Sequence, residues 1–419
     1  MDTLLNEDQA LIREAVRDFL KSKADPERVR AAVELPERTD RALWTEICGL
    51  GWSGLCLSPD SGGEGLSLVY LGILFEELGR HIAPVPALGS LTTALLLDRT
   101  AESGGLKDSV ANIVSGNLVV GLAFSDMGAT GPRTGCGYLS GRRVDEGVLL
   151  DGTVKYVEEG TAAGSFLVSF QLCESDGSVL PALALVDAGA DGSEVVPLLT
   201  TAKDSQADVY FTDVHVPQEH VLATGRAAAD MIFAMENLVT ALNVSMMAGG
   251  ARRTVELASE YAKERKAFGH PIGAFQAIQH LAADMLIAVD GTDLLVREAL
   301  WRMDHGLAAG AEVSQAKAFA NERCVMVCRS AQQIHGGIGF MEEFDLHLWY
   351  RRVLAWSLRW GTAREHRARV ASALLDTPDF VRLDMGTDAQ LPAVDGAEAV
   401  FALAAVAPGY NPFRVTAAG

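Results

Sequence analysis

Three textures of apolar and polar positions follow one another along the chain. Residues 6–22 place Leu11, Ile12, Ala15, Val16, Phe19 and Leu20 on one stripe at helical spacing, which predicts an amphipathic first helix. Asn6 and Gln9 precede the stripe as a capping-box start. Further helical patterns cover Asp40–Gly49 and Leu68–Gly79, separated by the turn-rich stretch SPDSGGEGLS, and continue through LGSLTTALLLDRTA. From about Asn117 short apolar runs broken by glycine take over: NLVVGLAF, GVLLDGTVKYV, GSFLVSFQL, LPALALVDA and ADVYFTDVHVP. Their length and regular spacing predict strands, and hence a β domain of small-barrel type. From about Ala227 the helical period returns. Val313, Ala316, Ala320, Cys324, Val327, Ala331 and Ile334 fall at steps of three and four, as a buried helix face requires.

The order helices, strands, helices predicts an α+β chain with domains 1–116, 117–226 and 227–376. Residues 377–419 mix Pro, Gly and Ala without sustained period and read as an appended tail. A length of 419 residues also favours two or three domains over one core. The formal net charge of −20 argues against a polyanion-binding surface, and no local basic stripe offsets it. Six scattered cysteines, with no CxxC pair, suit a reducing cytoplasm. Cys324 and Cys328 stand one helical turn apart, but no histidine lies at ligand spacing, and buried thiols are common core residues. The acidic N-terminus lacks the features of a signal peptide, and no apolar run approaches spanning length, so a soluble, cytoplasmic protein is expected.

The commonest catalytic signatures are absent: there is no Walker lysine, HExxH or GxSxG, and GGEGLS lacks the spacing of a dinucleotide loop. Two segments stand out instead. YAKERKAFGHPIGAFQAIQHLAADM, residues 261–285, ends one helix at Phe268-Gly269 and opens another after Pro271. QQIHGGIGFMEEFDLHLWYRR, residues 332–352, ends a helix in Gly336-Gly337. An arginine beside a glycine-broken helix end suits a pyrophosphate; a helix C-cap with a surface arginine accounts for the same residues.

With these two segments, the chain resembles the acyl-CoA dehydrogenase family over roughly residues 4–375. LLDGTVKYVEEGTAAGSFLV, FTDVHVP and the N-terminal GWSGLCLSPDSGGEGLSLVYLGILFEELGR fit the same family in the same order. The resemblance implies an N-terminal α-helical domain, a middle β-barrel domain and a C-terminal four-helix bundle. It implies FAD, a CoA thioester substrate and an electron acceptor flavoprotein. In this family a glutamate removes the α-proton while the β-hydride passes to the flavin, and the ADP half of each FAD is gripped by a neighbouring chain. The gripping residues are matched here by Arg265, Phe268, Gln276, Gln333, Gly336 and Gly337.

The departures concern the other half of the site. The family's base precedes a Gly-Thr pair about nine residues after an arginine; counting from Arg351, Trp360 occupies that position before Gly361-Thr362. An indole cannot accept the proton. The alternative family position falls at about Val239-Thr240, again not acidic, with Glu236 one turn away and Glu365 beyond Trp360 as candidates for a relocated base. The flavin-covering stretch survives only as AFSDMGATG, residues 123–131. The flavin-bonding threonine position reads Glu158, a carboxylate expected to repel a reduced flavin. The resemblance therefore implies the non-base subunit of an α2β2 enzyme of the type acting on steroid-side-chain CoA esters, paired with a catalytic subunit. A homomeric flavoenzyme with a displaced base or altered flavin chemistry, and a non-catalytic thioester-binding protein, remain as alternatives.

Overall fold

The computed structural model describes residues 4–100, 105–124 and 138–376. The predicted tail from Thr377, and the AFSDMGATG stretch beyond Phe124, lie outside the described residues. The chain opens with α1 (Glu7–Lys23), α2 (Pro26–Val33), α3 (Arg41–Gly49), α4 (Leu68–Arg80), α5 (Leu88–Thr100) and α6 (Gly105–Val114). The capping box forms as the sequence predicts: Gln9 N donates to Asn6 Oδ1 at 2.8 Å, and Asn6 N to Gln9 Oε1 at 3.1 Å. Such a cap is worth about 1 kcal/mol. In α5 every residue from Leu88 to Leu97 is buried, so the helix shows no one-sided stripe and packs as a core element.

The middle region is an eight-stranded sheet. Its strands are β1 (Val120–Phe124), β2 (Leu139–Val144), β3 (Gly147–Val157), β4 (Ser165–Cys173), β5 (Val179–Asp187), β6 (Ser193–Pro197), β7 (Ala207–Pro217) and β8 (Val221–Thr224). The order runs β6-β7-β3-β2-β4-β5-β8, with β1 on β4. β1 and β2 share one rank of the sheet. Val120–Phe124 lie opposite Ser165–Ser169 of β4, while Ser140–Arg142 lie opposite Gln171–Cys173 further along the same strand. On the other side β2 pairs with β3, and Leu122 of β1 bridges to Glu158 just past its end.

The remaining helices are α7 (Gly225–Glu264), α8 (Gln276–Asp304), α9 (Gly310–His335), α10 (Leu346–Leu358) and α11 (Ala363–Asp376). α7 is the axis of the molecule: it packs on α4, α8, α9, α10 and β5. By length and composition α7 could cross a membrane, contrary to the expectation that no run approaches spanning length, yet most of its apolar window is buried within the fold. Its crossing with α4 depends on missing side chains. A Cβ on Gly249 would meet Glu76 O at 1.8 Å, and one on Gly79 would meet Met246 O at 2.1 Å, so both backbones approach more closely than any larger residue allows.

The sheet is strapped to both helical layers near the end of β3. Glu159 accepts from the backbone N–H groups of Leu88 and Gly89 at 2.8 and 2.9 Å, satisfying otherwise orphaned donors at the start of α5. Burial and the neighbouring Glu158 nevertheless push its carboxyl up to about 8. Arg41 donates to Ala162 O at 2.6 Å, and Arg38 to Leu198 O. One residue before Glu159, Glu158 turns toward the C-terminal helices.

Candidate functional site

A cavity of about 550 Å³ lies where the sheet meets α10 and α11. Its volume falls within the roughly 300–1,000 Å³ typical of small-molecule sites. Phe124, Lys155 and Tyr156 line it from the sheet, and Leu354, Leu358 and Trp360 from the helices.

Unusual backbone aims the key side chains. Tyr156, at φ +57°, and Glu159, at φ +60°, bracket Glu158, and the pairing of β3 with β7 slips register between Val154 and Val157. This bulge ends the regular pleat and turns Glu158 inward. On the facing side, Trp360 adopts φ +58° and Gly361 φ +102°. A bulky residue with positive φ persists only where its surroundings hold it. Here His366 Nε2 donates to Trp360 O at 2.7 Å while its Nδ1 lies 3.2 Å from Ser314 Oγ. Burial holds this imidazole neutral, its pKa pushed down to about 3. Asn321 donates to Gly361 O at 3.0 Å, so α11 holds Trp360 through His366 and α9 holds Gly361.

The two strained turns meet in one buried network. Trp360 Nε1 donates to Glu158 Oε2 at 2.5 Å, and Arg359 Nη1 to Glu158 Oε1 at 2.6 Å. Arg359 Nη2 also pairs with Asp204, and the Gln206 amide, oriented to accept, lies 3.1 Å from Arg359 Nε and Nη2. Thr200 Oγ1 donates to Asp204 at 2.7 Å. Burial opposes the Arg359 cation, but Asp204 and Glu158 outweigh it and hold its pKa above the ordinary arginine value. Burial likewise opposes the Asp204 anion, but Arg359 and Arg352 hold it well below the usual carboxylate range. Beneath them Lys317, fully buried, donates to Asn243 Oδ1 at 2.6 Å and Trp356 O at 2.7 Å. Burial pushes its ammonium down to about 7, with Glu158 opposing the shift.

Glu158 is thus no bare carboxylate confronting a ligand: both its oxygens are occupied, and its charge is matched by Arg359. The sequence expectation of simple repulsion is corrected on that point. Of the candidate bases, Glu365 lines the cavity, but it accepts from Thr362 N and Thr362 Oγ1, each at 2.7 Å, as the cap of α11. Glu236 is outside the cavity lining and lies 3.9 Å from Arg369 on α11. Val239 and Thr240 are buried within α7. Cys324 and Cys328 pack against Thr292 and Thr254, and burial raises both thiols to about 12; they are core side chains.

The second group of sequence-selected residues occupies another part of the bundle. Arg265 caps α7, and a two-residue ladder pairs Lys266–Ala267 with His270–Pro271. At its tip Phe268 is 94% exposed, with φ +54°, and stands edge-to-face with Phe275 at 6.2 Å, just ahead of Gln276 at the start of α8. Exposed Gln333 lies in the last turn of α9, followed by Gly336 at φ +65° and Gly337. A Cβ added at either glycine would meet nothing within 4 Å, leaving room for a ligand against bare backbone. Tyr261 of α7 stacks on His335 of α9 at 4.5 Å, which joins the two helix ends. Among the described residues Arg265 makes no ion pair. This group is remote from Trp360: Asn321 marks the level of Trp360 on α9, and Gln333 lies twelve residues further on, roughly 18 Å along the helix axis.

Arg359, Asp204, Gln206, Lys317 and His366 escaped the sequence reading. Only the glycine after Trp360 hinted at the turn that presents Arg359.

Comparison with known proteins locates the fold. The acyl-CoA dehydrogenase N-terminal domain matches residues 6–104, and the acyl-CoA dehydrogenase C-terminal domain matches residues 226–375. The caffeyl-CoA reductase-Etf complex subunit CarC of Acetobacterium woodii is 29% identical over 88% of this chain and 99% of its own. Among solved structures, the ChsE4-ChsE5 complex from Mycobacterium tuberculosis is similar at 26% identity and TM-score 0.80, covering 90% of this chain and 100% of that one. The Tcur3481-Tcur3483 steroid ACAD is similar at 28% identity and TM-score 0.79, over 89% of this chain and 99% of that one.

Proposed function

Because the chain belongs to the acyl-CoA dehydrogenase family, we propose that it is the non-base subunit of a heteromeric, FAD-dependent acyl-CoA dehydrogenase working in the cytoplasm. FAD is the cofactor of this family and, when bound, takes up the hydride leaving the β-carbon of the thioester. The observation that carries the proposal is Trp360. It stands where the base is expected, with its indole N–H committed to Glu158. Among the described residues the two carboxylates lining the cavity are also engaged, Glu158 by Arg359 and Trp360, Glu365 by the cap of α11. A general base must reach the substrate proton within hydrogen-bond distance.

What this chain offers a partner is the other end of the cofactor. Arg265 and the open backbone at Gly336 and Gly337 suit the pyrophosphate, with Phe268, Gln276 and Gln333 around it; the bare glycine backbone fits an anionic ligand. The separation of this group from Trp360 suits residues serving a neighbouring chain. Likeness to the ChsE4-ChsE5 complex and to a steroid ACAD supports an α2β2 assembly and a bulky, polycyclic acyl group, with electrons passing to an acceptor flavoprotein.

The test is co-expression with the product of an adjacent gene, followed by measurement of flavin per chain and of CoA-thioester oxidation. One FAD per two chains is expected, with no turnover from this chain alone. One FAD per chain, or full activity of the isolated chain, would overturn the proposal. A homomeric enzyme using Glu365 is the second reading, favoured by that residue's place in the cavity wall.

A further inference from the structure

A second cavity adjoins the first and shares Glu158, Gln206 and Arg359 with it. It measures about 70 Å³, more than the ~10–15 Å³ that a single water needs and well below the ~300–1,000 Å³ of a drug-sized ligand's site. Arg38, Arg352 and Arg359 stand in its wall with Glu158, Glu159 and Asp204. These cations and carboxyls do not pair off. Arg359 takes both Glu158 and Asp204, and the other Asp204 oxygen accepts from Thr200 Oγ1 at 2.7 Å. Glu159 faces the backbone N–H groups of Leu88 and Gly89, and its carboxyl, pushed up to about 8, is mostly protonated at neutral pH. Arg38 bonds only backbone carbonyls, those of Leu198 and, at 3.5 Å, Asp204. Arg352 makes no hydrogen bond and no ion pair among the described residues, and burial pushes its guanidinium below the ordinary arginine value, with Asp204 alone opposing the shift. In the same wall Thr39, 3% exposed, has a hydroxyl without a hydrogen-bond partner among the described residues.

We infer that this cavity is a binding site for one small oxyanion, of phosphate or short-carboxylate size, held by the Arg352 guanidinium with Arg38 and the Thr39 hydroxyl as further donors. At neutral pH the wall sets three cations against two ionised carboxylates, and both carboxylates are already engaged by Arg359, so the surplus charge is positive. A buried charge without a partner is costly, and an oxyanion supplies what Arg352 lacks. The planar fork of a guanidinium matches two oxygens of a carboxylate or phosphate at once. The donors come from all three parts of the chain. Arg38 and Thr39 lie between α2 and α3, Asp204–Gln206 lead into β7, and Arg352 sits in α10, whose end presents Arg359 and Trp360. A bound oxyanion therefore ties the N-terminal helices, the sheet and α10 together beside the main cavity. This inference goes beyond the heteromeric reading and stands or falls without it, because it concerns binding to this chain alone.

The full-length chain and its Arg352→Gln variant are titrated at neutral pH and constant ionic strength with sodium phosphate and, separately, with sodium acetate. Calorimetry reports binding, and the thermal midpoint reports the tie between the three parts of the chain. The parent should show a saturable event with at least one of the two anions, accompanied by a rise in midpoint. Phosphate alone identifies a tetrahedral anion as the ligand, acetate alone a short carboxylate. Arg352→Gln should weaken that event at least about tenfold, a difference of ~1.4 kcal/mol. Arg352→Lys, which keeps the charge but not the fork, should retain part of it. If Arg352→Gln does not fold, Arg38→Gln carries the test and should weaken the same event. The absence of a saturable event with either anion overturns the inference. So does an event of equal strength in the parent and the folded variant, which would belong to another cation such as Arg265, and so does one that sodium chloride reproduces at the same concentration.

Discussion

In an Arg359→Met chain, Glu158 and Asp204 each lose their bond to Arg359 while remaining buried. The three side chains are 14%, 9% and 6% exposed, so the small energies of surface ion pairs, ~0–1 kcal/mol, do not apply. Breaking a buried pair by deleting one member costs about 3–5 kcal/mol. The lower end is expected, because Glu158 keeps the indole N–H of Trp360, and Asp204 keeps Thr200 Oγ1 and the nearby Arg352. Against a typical stability of ~5–15 kcal/mol, such a loss is readily measured. The effect also has a pH signature. The folded-state pKa of Asp204 is depressed, so the stability it contributes is complete above its unfolded value of about 3.9 and is lost as pH falls through the folded value. Methionine removes much of that depression. The gap between parent and variant is therefore widest near about pH 7 and narrows below about pH 4. Urea unfolding followed by tryptophan fluorescence at the two pH values measures both quantities. A loss below about 1 kcal/mol, or a gap indifferent to pH, would show that Arg359 is not the hub its geometry describes.

Two further substitutions separate charge from structure in the same region. Lys317 is pushed down to about 7 chiefly by burial, whereas the unfolded lysine titrates near 10.4, so the unfolded chain binds more protons between those values and parent stability rises with pH across that window, by up to about 1.4 kcal/mol per unit. Lys317→Met should remove this contribution; parallel stability–pH curves for the two proteins would contradict the burial argument. Glu365→Gln keeps a side chain able to cap α11, because glutamine also serves in a capping box, but it deletes the carboxylate. Turnover of the partner complex should be unchanged, whereas a drop of about a hundredfold or more would make Glu365 the base and favour the homomeric reading.

What the sequence could disclose followed from the range of the interactions involved. The capping box at Asn6, the stripe on α9 and the glycines after His335 are local, so their residue types and spacing carry the information. The expectation at Trp360 was equally local, because it needed only a count from Arg351 to Gly361-Thr362. The buried network around Arg359 was not. Arg359 meets Glu158 and Asp204 across 201 and 155 residues of chain, and the motif that contains Glu158 names neither Arg359 nor Asp204. Their burial arises only when the bulge after Val154 and the left-handed turn at Trp360 face each other. The same distance explains why Glu158 looked like an unmatched charge. A carboxylate that looks unmatched when considered one position at a time is matched by a cation from the turn that carries Trp360. Glu158, Arg359 and Trp360 therefore form one hydrogen-bonded unit, and a glutamate placed at position 360 alone would set a second carboxylate against Glu158.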